Sequence, residues 1–84
     1  MFWVNTVKIV NKPIKVLAIF NTSGKIEPVK FSLDNKVVII DKLIDTHVEE
    51  YVGNIRVVFV CLKCDLIFEL KYELASNIWY LFKK

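Results

Sequence analysis

Leu66-Ile67-Phe68-Glu69-Leu70-Lys71-Tyr72-Glu73-Leu74, then Ala75-Ser76-Asn77, then Ile78-Trp79-Tyr80-Leu81-Phe82, is the stretch that decides the fold class. Leu66, Phe68, Leu70, Tyr72 and Leu74 recur at every second residue, with Glu69, Lys71 and Glu73 between them. That is the period of a strand with one dry and one wet face. The polar break and the second apolar run make the segment a β-hairpin. Asn77 is the residue best able to take the left-handed conformation of a bulged turn. The pattern predicts Leu66, Phe68, Leu70 and Tyr72 buried, with Ile67, Glu69, Lys71 and Glu73 largely exposed. Trp79 and Leu81 are expected to face the same core.

Working outward, the same punctuation repeats. Ile55 to Leu62 is a strand whose run from Val57 onward is apolar on both faces, so it is expected to be covered on both sides. Lys63-Cys64-Asp65 turns it into the hairpin. Upstream, Ile14–Phe20, Val29–Leu33 and Val37–Ile40 read as strands, separated by Asn21-Thr22-Ser23-Gly24 and Asp34-Asn35. Pro28 cannot donate to a ladder, so the second strand is expected to begin there or to lie on an edge. Leu43, Ile44, His47, Val48, Tyr51 and Val52 recur at helical spacing. Thr46 and Glu49 form a capping-box pattern, and Gly53 sits where a helix would end. This predicts a short helical turn over residues 46–52. The fold expected is all-β: a small antiparallel meander barrel of five to six strands, SH3-like or related, with an OB-type barrel as the runner-up.

The 84 residues read as a single domain, with residues 1–12 as an extra strand or a flexible arm. A chain this short buries only about 60–65% of its extended surface. It is nonetheless 55% hydrophobic, with a mean hydropathy of +0.43. A small barrel does not need so many apolar residues, so a further element or a partner subunit is expected to cover some of them. The longest uninterrupted apolar run, Val57–Leu62, is far below the roughly 18–20 residues of a membrane-spanning helix. The N-terminus lacks the basic start and continuous apolar stretch of a secretory signal. Together these point to a cytoplasmic protein with reduced thiols and no membrane partner.

Net charge is +3, distributed unevenly. Lys8, Lys12, Lys15, Lys25 and Lys30 precede Asp34 against one acid, Glu27. From there to Asn54 the acids Asp34, Asp41, Asp45, Glu49 and Glu50 outnumber Lys36 and Lys42. Cys61-Leu62-Lys63-Cys64 has a metal-knuckle spacing, but His47 is the only histidine, so a monomer is short of ligands. No phosphate-cradling or hydrolase string occurs. The reading is therefore a non-enzyme without cofactor or metal, its thiols structural and His47 packed on the inner edge of the helical turn.

With Trp79 inward, Ile78, Tyr80 and Phe82 point outward beside Lys83 and Lys84. Such a stripe serves either as a protein interface or, with Arg56 and Lys71 as phosphate contacts, as a platform for single-stranded nucleic acid. Self-association through protein contacts, as a homodimer, is the leading reading, and nucleic acid the alternative. Gly24-Lys25-Ile26-Glu27-Pro28, Gly53-Asn54, Glu69-Leu70-Lys71-Tyr72-Glu73 and Trp79-Tyr80-Leu81-Phe82-Lys83 resemble a group of small proteins of anaerobic Gram-positive bacteria. The likeness runs from about Pro13 to Lys84, rests on turn and core residues, and implies no assigned activity.

Overall fold

The computed structural model describes residues 9–83 and is all-β. Seven strands follow one another: β1 (Ile9–Phe20), β2 (Ile26–Leu33), β3 (Lys36–Ile39), β4 (Lys42–Tyr51), β5 (Asn54–Lys63), β6 (Leu66–Glu73) and β7 (Ile78–Lys83). They form one antiparallel sheet in the order β3-β2-β1-β7-β6-β5-β4. Each strand pairs with its sequence neighbour except β3 with β4, and β7 returns to pair with β1. The sheet therefore curls into a half-barrel that is open between β3 and β4. The chain crosses that opening at Ile40-Asp41, where Ile40 donates to the Val29 carbonyl and Asp41 to the Leu62 carbonyl, both at 2.9 Å.

β1 makes the curl. Its first part pairs with β7, ending at Ile14 opposite Trp79. Its second part pairs with β2, beginning at Lys15 opposite Ser32. Register shifts lie in both halves, where an extra residue bends a strand and steepens its twist. Residues 9–12, expected as a separate strand or arm, are the start of this strand; residues 1–8 lie outside the described residues. Pro28 is the third residue of β2, opposite Ala18 and beside the register shift. β3 pairs only with Lys30–Leu33, so Pro28 has no paired strand on that side, and its missing donor breaks no ladder there, as expected of an edge position.

The helical turn predicted over residues 46–52 is instead the second half of β4. Thr46, Val48 and Tyr51 stand opposite Phe59, Val57 and Asn54 in an unbroken ladder with β5. A bulge between Leu43 and Asp45 shifts the alternation by one residue. This leaves Leu43 and Ile44 adjacent and imitates a helical period. A helix of seven residues has little stability of its own, whereas the ladder with β5 takes up the inward-facing backbone groups of a segment rich in β-formers and leaves the others to solvent at the sheet edge. Gly53 does take a left-handed φ of 81°, but in a two-residue hairpin turn with Val52 at 50°. Asp34 and Asn35, at 50° and 66°, make the same kind of turn between β2 and β3.

Val52 is the misfit, because a β-branched residue is disfavoured in that region. Its side chain is exposed and has little packing to lose. Val52→Asn should therefore stabilise the chain by about 1 kcal/mol, a rise in Tm of roughly 4–8 °C on thermal unfolding. An unchanged or lower Tm would show that the valine is held there by packing.

The core lies on the concave face: Phe31, Phe59, Cys61, Phe68, Leu70 and Leu81 are buried, with Ile14, Val16, Val38, Leu43, Val57, Tyr72 and Trp79 packed around them. Phe31 meets Phe68 at 5.3 Å between ring centroids, joining β2 to β6 across the barrel. Trp79 stacks obliquely on Phe59 at 5.4 Å and Tyr72 at 4.8 Å. Trp79 and Leu81 share this core as their alternation required. Leu66 does not: it begins β6 at the hairpin tip, across an open groove from Leu33 and Val38, and is exposed.

Candidate functional site

The convex face of β5, β6 and β7 carries the residues singled out as a stripe. Cross-strand pairing sets Arg56 opposite Glu73, Val58 opposite Lys71, Lys71 opposite Tyr80, and Glu73 opposite Ile78. Arg56, Lys71, Ile78, Tyr80 and Phe82 are thus brought together. Lys84 and the side chain of Lys83 lie outside the described residues. The face is not the wet one that alternation implied. Lys71 is 6% exposed, Val58 1%, and Arg56 and Glu73 are also buried.

The cations are engaged. The Arg56 Nε donates to Glu73 Oε2 at 3.1 Å. Lys71 Nζ reaches diagonally across β5 to donate to Glu49 Oε2 of β4 at 2.7 Å, so its stem crosses beside Val58. Each cation also lies over a ring, Arg56 at 5.1 Å from the Tyr80 centroid and Lys71 at 3.6 Å from that of Phe82. Carboxylates already neutralise these charges and cations meet the ring faces, so the arrangement offers little to a phosphate or an incoming base. Alternation read the face of each residue correctly but not its burial, which comes from neighbouring strands folding long side chains over one another.

The Ser76 hydroxyl, donating to Glu73 Oε1 at 2.7 Å, together with Arg56, holds the Glu73 carboxyl below its ordinary value of 4.5 against the opposing effect of burial. A depressed folded-state value gives stability that is present above 4.5 and lost as pH falls through the lower, folded value. Ser76→Ala removes the largest single favourable contribution. Its urea midpoint should lie below that of the native chain at neutral pH, and the two should converge as the solution is acidified through the lowered, folded value. A gap that stays constant with pH would assign the loss to something other than this carboxylate.

Cys61 is in the core, and burial pushes its thiol up to about 12. Cys64 occupies the β5–β6 turn at a φ of 55° and is exposed. His47, expected on an inner helical edge, stands instead on the convex face of β4, exposed, with Nδ1 2.9 Å from Asp45 Oδ2. It pairs across the ladder with Val58, whereas Cys61 pairs with Leu43 on the concave side. The fold therefore separates the histidine from the buried thiol.

Two apolar surfaces were not picked out from the sequence. On the convex face of β1–β2–β3, the cross-strand rows Leu17–Lys30–Ile39 and Lys15–Ser32–Val37 mix aliphatic with polar side chains. Leu17, Val37 and Ile39 are exposed there, beside the free edge of β3. At the end of the half-barrel nearest the β5–β6 turn, a groove of about 330 Å³ opens between Leu33 and Val38 on one side and Leu66 and Phe68 on the other. Phe31 and Leu81 form its floor, so it is continuous with the core. The apolar pairs Val37/Val38 and Leu66/Ile67 were the available signal, but only the curl shows that they adjoin.

Among the described residues, no helix is long and apolar enough to cross a membrane. Comparison of the chain with protein-family models, with curated proteins and with solved structures returned no match.

Proposed function

We propose that this chain is a non-enzymatic binding module of the SH3-like kind, working in the cytoplasm, whose first partner is a second copy of itself. The observation that carries the reading is the amount of aliphatic surface left outside a completed core: Leu17, Val37 and Ile39 on one convex face, and Leu66 and Ile67 at the barrel end. Contiguous exposed patches of this kind mark interaction surfaces. The alternative, a binder of single-stranded nucleic acid, has less support, because Arg56 and Lys71 are already committed to carboxylates and rings.

Light scattering over a micromolar concentration series tests the proposal. The expected result is a mass rising from 9.8 kDa to twice that value. A mass that stays monomeric throughout would sink the self-association reading. Fluorescence anisotropy with an oligonucleotide tests the alternative, since true binding should weaken steeply with added salt.

A further inference from the structure

We infer that the copies meet through the barrel end, each inserting its β5–β6 hairpin tip into the other's groove; this rests on the self-association reading and names its surface. The tip is a protrusion of two aliphatic side chains, Leu66 at 70% exposed and Ile67 at 60%. The groove, with Val37 on its rim at 61% exposed, is lined on its near side by the same two residues. Protrusion and recess thus belong to one contiguous patch. A two-fold axis beside such a patch fills both recesses at once and closes the assembly at two copies, as an isologous contact requires.

Charge supports the same pairing. Asp65 sits in the turn that carries the protrusion, and Lys36 is the ladder partner of Leu33, which lines the far wall of the recess. Both are exposed, and neither has an ion pair among the described residues. Insertion brings the Asp65 of each copy towards the Lys36 of the other, twice per dimer. A small specific interface takes about 600 Å² from each copy, a tenth of the 6036 Å² that this chain exposes.

The test compares the wild-type chain with Leu66→Glu, Lys36→Glu, Asp65→Lys and the double charge reversal by light scattering, with circular dichroism confirming the fold. Position 66 is exposed in the single chain, so the glutamate should spare folding. Leu66→Glu should weaken dimerisation by about 30-fold or more, the loss typical of a central anchor. Each single reversal should weaken it several-fold, and the double reversal should restore it, which a merely structural effect would not do. Tyr80→Ala should leave dimerisation unchanged. A dimer indifferent to Leu66→Glu, or a double reversal weaker than both singles, overturns this interface alone. A wild-type monomer overturns the self-association reading together with it.

Discussion

Phe59→Ala should leave the chain largely unfolded at room temperature. Phe59 lies mid-β5, is among the largest fully buried side chains, and faces Leu70 on one side and Thr46 on the other. Removing a buried phenylalanine costs about 3–5 kcal/mol, since lost transfer energy adds to the cavity left behind. The oblique stack on Trp79 adds about 0.5–1.5 kcal/mol. A domain of this length has roughly 4–13 kcal/mol in total, and one with so much aliphatic surface outside its core belongs towards the lower end. Far-UV circular dichroism and a urea titration decide the matter. A cooperative transition near the wild-type midpoint would mean that the surrounding residues collapse into the space, and that the core is less tightly specified than its burial indicates.

The second large effect is expected on the convex face, where a core argument does not apply. Glu49→Ala removes the only carboxylate within hydrogen-bond distance of Lys71 Nζ among the described residues. An ammonium group on a residue 6% exposed is then left with the Phe82 ring as its remaining contact. Breaking one half of a buried ion pair costs about 3–5 kcal/mol. Glu49 keeps about a third of its side-chain surface, so water can partly replace it, and the expected loss is nearer 2–3 kcal/mol. The double variant Glu49→Leu with Lys71→Met should recover most of that loss, because exchanging a whole buried pair for apolar side chains is often neutral. A double-mutant cycle in urea measures both. If Glu49→Ala moves the midpoint no more than an ordinary surface substitution, about 0.5 kcal/mol, then Lys71 finds water by turning outward and the face is wetter than its geometry shows.

What the sequence by itself determined here is local. The two-residue period of β6 and β7 assigned each side chain to the concave or convex face, and Trp79 and Leu81 fell where their parity put them. Gly24, Asp34-Asn35 and Asn77 marked their turns, because few other residues reach these backbone angles at low cost. Tertiary structure decided what depends on a neighbour. Residues 42–51 become a strand only because β5 offers a full ladder, which outweighs a helical spacing produced by one bulge. Leu66 is exposed despite its parity, since at the hairpin tip the facing strands stand apart and leave a groove open between them. Arg56, Lys71 and Glu73 are buried despite theirs, because charged side chains on adjacent strands neutralise and cover one another. Alternation along a chain fixes direction, but burial is a property of what lies across the ladder, and that is written in residues some twenty positions away.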